Sequence, residues 1–397
     1  MHDTLRYDPF SYELHENPYP LYARLRAEAP AYHNEERDFW ALSRYDDVRT
    51  ALLDHETYCS SRGFTLEDIG DFALPMLLGM DPPDHTRLRA TIHRALTPRR
   101  IALLEGPVRA LARELLGRVA PRGHCDMIAD FAAILPMAVI ARMLGVPQRD
   151  HDRLRRLADE MLHREHGVSG VPESGKRAAG EIYAYFDALL GERDTSDADD
   201  LLSLLLEAES RGEISHVEIL GFCFLLIIAG NETTTKLIGN MTFQLSIHAE
   251  QRDHVIADRS LVANAVEEVL RYDTSTHMMA RTLTSDVELH GRRMHAGTKV
   301  ALILASANRD ERRWPSPERF DIRRDTSEHL GFGFGVHHCM GAALARLEAR
   351  VALDEMLSML PDFIVDADGL ERAHSGNVRG YTRVPVRFTP GTFDGKP

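Results

Sequence analysis

The chain has 397 residues, 44% of them hydrophobic and 27% charged, a composition typical of a globular protein that can bury a large core and a sizeable cofactor. Its formal net charge of −14 argues against a nucleic-acid-binding protein and against a partner membrane of anionic lipid, because both need an excess of Lys and Arg. The N-terminus lacks the charged-then-apolar pattern of a signal peptide, and the longest apolar run, residues 219–230, is too short to span a bilayer, so we expect a cytoplasmic protein.

Apolar residues recur at three- and four-residue spacing through most of the chain, which predicts a largely helical fold. The predicted helices are residues 17–29, 44–54, 84–96, 98–119, 216–248 and 261–272. Short apolar or alternating runs bounded by turn residues predict strands at 39–42, 287–289, 299–304, 363–365 and 384–388. The fold class is therefore mainly α with small β-sheets (α+β). No internal repeat or low-complexity stretch divides the sequence, so we predict a single domain over residues 1–397.

The predicted helix 216–248 has a polar interruption in its middle. Its first half is apolar nearly all round, which indicates a helix that passes through the core. Ala229 and Gly230 remove side-chain bulk, and Gly costs about 1 kcal/mol of helix propensity. Asn231, Glu232 and Thr233 follow directly. Polar residues at the centre of a buried helix require an explanation. One explanation without a functional role is a structural helix that has a Thr-rich polar face.

Cys339 is the cysteine whose surroundings in the sequence indicate a reactive or metal-binding thiolate. The four cysteines are far apart and form no CxxC pair, so they indicate neither a disulfide framework nor a zinc ribbon. Residues 332–341 read FGFGVHHCMG and precede an amphipathic helical pattern, which places Cys339 at a helix start, where unpaired backbone N–H groups favour a thiolate. Taken alone, a buried cysteine in a glycine-rich turn is an equally good interpretation.

The segment 332–341 resembles the cysteine-ligand loop of the cytochrome P-450 family, Phe-x-x-Gly-x-His/Arg-x-Cys-x-Gly. Its fixed places are filled by Phe332, Gly335, His337, Cys339 and Gly341. The resemblance implies a P-450 fold with haem b (iron protoporphyrin IX) held between the long central helix and this loop. It also implies that Cys339 is the axial ligand of the iron, that Phe332 packs against the loop, and that His337 hydrogen-bonds a haem propionate.

The polar interruption is similar to the family's oxygen-binding groove. The resemblance implies that Ala229 and Gly230 make room for O₂, that Thr233 hydrogen-bonds the oxygen or a water, and that Glu232 connects that water to solvent protons.

Two further groups of residues match the family in the expected order. The pair Glu268 and Arg271, one helical turn apart, resembles a buried structural triad completed by Arg319. Three residues match positions that grip the haem propionates in the family: His85, Arg89 and Arg281.

The loop after the Glu-x-x-Arg helix departs from the family, because Ser275 fills a place where a proline is usual. This loop normally lines the substrate pocket, although core packing is an equally good interpretation for its methionines. The candidate substrate contacts are Phe64, Leu66, Phe72, Leu225, Ile228, Ala229, His277, Met278 and Val378, with Met279 beside them. Their apolar character predicts a bulky, mainly hydrophobic substrate.

The resemblance implies a haem-thiolate monooxygenase of secondary metabolism that hydroxylates or epoxidises its substrate with O₂. No segment resembles a fused reductase, so electrons are expected from a ferredoxin with its reductase or from a flavodoxin-type donor, docked near Arg94, Arg99, Arg100 and Arg346. One alternative is a peroxide-driven peroxygenase, which usually lacks the acid and alcohol found here at 232 and 233. The other is a haem-based sensor or carrier, which needs no proton relay.

Overall fold

The protein is described by a computed structural model that covers residues 5–67, 75–163, 170–193 and 200–391. Within these ranges the α-helices are α1 (Tyr12–Glu16), α2 (Tyr19–Glu28), α3 (Tyr45–Leu53), α4 (Asp84–Ala95), α5 (Pro98–Leu103), α6 (Glu105–Val119), α7 (Ile134–Met143), α8 (His151–Leu162), α9 (Glu173–Gly191), α10 (Leu201–Ser210), α11 (His216–Leu225), α12 (Asn231–Ile247), α13 (Ala249–Ala257), α14 (Val262–Tyr272), α15 (Leu304–Ala307) and α16 (Ala342–Met359). The strands are β1 (Ala31–Asn34), β2 (Phe39–Leu42), β3 (Tyr58–Cys59), β4 (His124–Asp126), β5 (Met279–Leu283), β6 (Val287–Leu289), β7 (Arg292–Met294), β8 (Lys299–Leu302), β9 (Ile364–Val365), β10 (Glu371–Arg372), β11 (Tyr381–Arg383) and β12 (Pro385–Arg387). The predicted fold class, mainly α with small sheets, is confirmed.

The chain forms two compact units, each assembled from segments that are distant in sequence. The first unit contains Met1–Glu67, Asn240–Cys339 and Leu370–Thr382. The second unit contains Asp68–Gly239, Met340–Gly369 and Arg383–Pro397. The single domain expected from the sequence stays a prediction.

The first unit is built on a five-stranded sheet in the order β1-β2-β8-β5-β3, in which β2 and β8 are parallel and the other pairs antiparallel. All four residues of β2 are buried, because both faces of the sheet are covered. Phe39 and Ala41 pack into one apolar cluster, whereas Trp40 and Leu42 pack into the other. This alternation is the two-residue period of a strand, and it fixes the register of the sheet.

The second unit is a helical assembly around the first part of the long helix, with the small sheet β4-β12-β9 at its edge. Its core is one apolar cluster to which α7, α8, α9, α10 and α11 contribute buried side chains. Helix α16 packs along α6 and against α5. The sequence predicted a single helix over 98–119, but the structure ends α5 at Leu103 and starts α6 at Glu105. Gly106 and Pro107, which weaken helix continuity, were the overlooked signal.

The long helix runs continuously from His216 to Ile247, as α11, a π-helical segment Leu226–Gly230, and α12. Ser215 caps its start in a capping box with Glu218. This helix is long and apolar enough to cross a membrane by length and composition, so the sequence argument that no apolar run is long enough was wrong. Length and composition do not distinguish a membrane span from a buried core helix, and residues such as Ile219 are fully buried. The cytoplasmic location stays a prediction.

Candidate functional site

The segment 332–339 of the first unit forms a closed loop. The backbone N–H of Cys339 donates to the carbonyl of Phe332 over 2.9 Å, and a 3₁₀ turn spans Gly335–His337. Gly335 has a φ of +70°, and a Cβ there would lie 2.5 Å from the carbonyl oxygen of Leu52. Only glycine fits this close approach. Helix α16 begins at Ala342 with Gly341 as its N-cap, so Cys339 precedes the helix by three residues.

Cys339 is exposed, whereas the other three cysteines of the chain are buried. Burial raises the pKa of the Cys125 thiol to about 12 and also raises the pKa of the Cys223 thiol. These two side chains therefore stay neutral thiols, which bind metals poorly because the thiolate is the ligand. The exposed sulfur of Cys339 has the accessibility that a metal ligand requires.

The donor set fits haem better than a bare metal ion. Among the residues that the structure describes, no three His, Cys, Asp or Glu side chains group in a way that could hold a metal ion. A bare ion needs three or four such ligands. A single accessible thiolate fits instead an iron atom whose equatorial ligands come from a porphyrin.

The predicted propionate partners occupy both units. In the first unit, Arg281 lies in β5 with 3% exposure and donates to the Ala280 carbonyl over 2.7 Å, and His337 Nε2 lies 3.1 Å from Ser60 Oγ. In the second unit, α4 carries His85, which is 1% exposed, and Arg89 one turn later, which is half-buried. Ser60, itself buried, was not foreseen from the sequence.

The second unit contains the polar interruption, which coincides with the π-helical segment Leu226–Gly230. Thr233 Oγ1 donates to the carbonyl of Ala229 over 2.7 Å. Glu232 and Thr233 are half-buried. A Cβ on Gly230 would lie 2.7 Å from Cδ1 of Ile140, so a larger residue would displace α7 side chains. Such single-turn π segments are frequent at functional sites, because they change hydrogen bonding within a helix.

Glu268 and Arg271 form a fully buried, bidentate ion pair, with both N–O distances 2.8 Å. The expectation that the Arg319 side chain completes this group was wrong. The side chain of Arg319 is 69% exposed, and only its carbonyl accepts from Arg271, over 3.3 Å. Arg324 is the second cation, with Nε 3.6 Å from Glu268 Oε1 and a side chain only 11% exposed. Arg319 lies in a surface turn, so its long side chain extends into solvent, where the guanidinium group stays hydrated.

Some of the predicted substrate residues of the first unit are half-buried and others belong to its core. Phe64 and Leu66 are half-buried. Met278 is 3% exposed in the core cluster beneath the sheet, so for this residue the packing alternative is correct, whereas Met279 is half-buried on the opposite side of the strand.

His277 and Val378 line a cavity of about 20 Å³ in the first unit. His277 Nδ1 lies 3.3 Å from the Tyr22 hydroxyl, while its Nε2 has no hydrogen-bond partner among the described residues. Burial and then the nearby Arg379 guanidinium hold the pKa of His277 well below its usual value, so the imidazole is neutral. In the second unit, Leu225, Ile228 and Ala229 are half-buried. Phe72 lies outside the residues that the structure describes.

Comparison with known proteins gives consistent matches, and the relatives and the solved structure match over nearly the whole chain. The family model described as cytochrome P-450 matches residues 175–361. The chain is 43% identical over 385 residues to a protein of Mycobacterium tuberculosis named putative cytochrome P-450 123, covering 96% of each chain. It is 39% identical to the vitamin D(3) 25-hydroxylase of Pseudonocardia autotrophica, covering 98% of each. The solved structure of CYP109Q5 from Chondromyces apiculatus superposes with a TM-score of 0.89 at 38% identity, covering 98% of this chain and 99% of that one.

Proposed function

Because the chain belongs to the cytochrome P-450 family, and is therefore a haem-dependent monooxygenase, we propose that it hydroxylates or epoxidises a bulky, mainly hydrophobic small molecule with electrons from separate protein donors. The observation that carries the proposal is the exposure of Cys339, in a loop closed by its own N–H, whereas the other three cysteines are buried. When bound, the haem supplies cleavage of the O–O bond, which an axial thiolate favours by donating electron density to the iron.

We assign the haem contacts as follows. Cys339 would hold the haem iron through its thiolate sulfur, Phe332 would pack against the loop, and Gly341 at the start of α16 would leave room for the ring. The propionates are assigned to His85, Arg89, Arg281 and His337. Two buried carboxylates need such partners, because charge-assisted hydrogen bonds offset the loss of their hydration.

Glu232 and Thr233 are the proposed proton-delivering residues. The hydroxyl proton of Thr233 is directed at the Ala229 carbonyl, so the lone pairs of Oγ1 are available to accept a hydrogen bond from a water. To hydrogen-bond dioxygen, which has no proton to donate, the hydroxyl would turn away from that carbonyl and donate. Glu232 is half-buried, which suits a carboxyl group that exchanges protons with solvent and passes them to that water. The small residues Ala229 and Gly230 are assigned to the space for O₂.

The electron donor is proposed to be a ferredoxin with its reductase or a flavodoxin-type protein. Arg94, Arg99, Arg100 and Arg346 all belong to the second unit, on α4, α5 and α16, and α5 packs against α16. Ferredoxins and flavodoxins of acidic surface complement such a group by charge. The docking surface consists of these four arginines.

The substrate class rests on the half-buried apolar residues Phe64, Leu66, Leu225 and Ile228. The relative named vitamin D(3) 25-hydroxylase supports a bulky hydrophobic substrate. His277, Val378 and Met279 are the proposed contacts at the edge of β5, and a role in secondary metabolism is part of the same proposal.

A screen of steroids, macrolides, terpenoids and fatty acids for a Soret shift of the haem-loaded protein tests the substrate class, since a substrate bound next to the haem would change this absorption band. The compounds that shift the band are then incubated with NADPH, ferredoxin and ferredoxin reductase. Oxidised product formed in this system supports the proposal. Faster turnover with hydrogen peroxide alone would indicate a peroxygenase, and tight binding with no product in either system would indicate a sensor or carrier.

A further inference from the structure

The proposed docking surface includes an acidic residue that already occupies one of its arginines. Arg94 at the end of α4 has a side chain that is 64% exposed, and its Nη2 is bound to the carboxylate of Glu213. Glu213 lies in the turn between α10 and α11, and its side chain is 31% exposed. The same carboxylate accepts from Arg211 Nε over 2.8 Å. One carboxylate therefore serves two arginines.

The turn that carries Glu213 is held firmly against α4. Gly212 has a φ of +71°, which turns the chain sharply after α10, and the next apolar residue, Ile214, is 4% exposed. Arg87 on α4 donates to the Glu213 carbonyl over 3.2 Å and is also paired with Glu218 of the capping box. These anchors fix the backbone and the bond to Arg211 restricts the Glu213 side chain, so binding Arg94 costs little further conformational entropy.

The remaining arginines of the surface lie on neighbouring elements of the second unit. Arg99 is exposed and Arg100 half-buried in the first turn of α5, while the half-buried Arg346 lies on α16. An acidic electron donor that docks here can bind these arginines directly, whereas Arg94 is already paired with the Glu213 carboxylate. A donor carboxylate that binds Arg94 either displaces Glu213, which can keep its bond to Arg211, or binds the remaining N–H groups of Arg94 against the negative charge of Glu213.

We propose that Glu213 is a tethered counter-ion that competes with the acidic electron donor for Arg94 and thereby weakens docking. The inference rests on the proposed docking surface and adds its regulation. Weak docking suits the reaction, because the two electrons arrive singly and a one-electron donor must leave before the next one binds.

The test compares Glu213→Gln with Glu207→Gln. Both substitutions remove one negative charge, and Glu207 also pairs with Arg211, over 2.6 Å, but it does not contact Arg94. The dissociation constant of the haem-loaded protein for an oxidised plant-type [2Fe–2S] ferredoxin is measured by calorimetry at low ionic strength. We expect Glu213→Gln to lower this constant roughly two- to fivefold relative to Glu207→Gln, as is usual for one exposed ion pair. The gain should vanish in an Arg94→Gln background and shrink at high salt.

Arg99→Glu separates the two proposals. If Arg99→Glu weakens ferredoxin binding while Glu213→Gln and Glu207→Gln bind equally, the docking surface stands and the role of Glu213 is refuted. If Arg99→Glu leaves binding unchanged, the docking surface itself is wrong and the inference falls with it. Glu213→Ala repeats the comparison if the amide variant does not fold.

Discussion

Glu348 offers the sharpest test of the packing in the second unit. It lies on α16 with 1% exposure, and its Oε1 has no hydrogen-bond partner among the described residues. Burial alone raises the pKa of this carboxyl group to about 8. A glutamic acid in an unfolded chain titrates near 4.5. The folded protein therefore keeps a proton on Glu348 at neutral pH, which the unfolded chain releases.

The sign of the effect follows from proton linkage. Between about pH 4.5 and 8 the folded state binds more protons than the unfolded state, so the free energy of unfolding falls as pH rises through this window. Within this window the free energy of unfolding falls by about 1.4 kcal/mol for each pH unit. The loss relative to low pH is roughly 3 kcal/mol at pH 7 and approaches 5 kcal/mol above pH 8.

Glu348→Gln replaces the neutral acid by a neutral amide of the same shape and removes the ionisation. We expect the stability of the variant relative to the wild type to increase by roughly 3 to 4 kcal/mol between pH 5 and pH 8, and to change little above that. The assay is guanidinium-induced unfolding of the haem-loaded protein, followed by circular dichroism at pH 5, 6, 7 and 8.

Glu355→Gln is the matched control on the same helix. The Glu355 side chain is 4% exposed but accepts from Arg109 over 2.5 Å and from Arg113 over 2.9 Å. Its substitution should therefore destabilise the protein, by about 1 to 3 kcal/mol at pH 7, because it leaves the half-buried Arg109 and the exposed Arg113 without this partner. A stability difference between Glu348→Gln and wild type that is independent of pH, or a loss of stability at pH 8, would refute the reasoning.

Three other outcomes are expected. Arg271→Lys should destabilise the protein by about 3 to 5 kcal/mol and reduce haem content, while Arg319→Gln changes both little; equal effects in unfolding and haem titrations would contradict the assigned network. Thr233→Ala should keep haem and substrate binding but lower product formed per O₂ consumed, and unchanged coupling would exclude Thr233 from proton delivery. His277 Nε2 has no hydrogen-bond partner among the described residues, so we expect it to bind a hydroxyl or keto group of a substrate, and His277→Phe should raise the dissociation constant for compounds with such a group about two- to tenfold. An equal change for their deoxy analogues, measured by Soret titration, would exclude this hydrogen bond.

The regular elements were the most predictable part of the chain. The strand over 39–42 and the long central helix follow from composition and period, and both are present with bounds within one residue. Periodicity describes which residues are buried, which is why it predicted these elements well. It could not distinguish Met278 from Met279, because the face of a strand depends on the register that the rest of the sheet imposes.

The site was predictable where it depends on local sequence and less so where it depends on tertiary contacts. The exposure of Cys339, beside a loop that requires Gly335, agrees with the motif. The sequence could not show that Arg324, and not Arg319, lies near Glu268. The two arginines are five residues apart, and only the folded chain decides which side chain points inward. The π-helical segment before Thr233 was also missed, because its only signal in the sequence is the Ala-Gly pair at its end.

The ligation of iron by Cys339 is the central claim, and the carbon monoxide difference spectrum of the reduced protein tests it most directly. Wild type and Cys59→Ala, which alters a buried cysteine, are expected to show the thiolate-type absorption band from which the family takes its name. Cys339→His is expected to keep haem but lose that band, because imidazole donates less electron density to the iron. Absence of the band in the wild type, or its persistence in Cys339→His, would contradict the assignment.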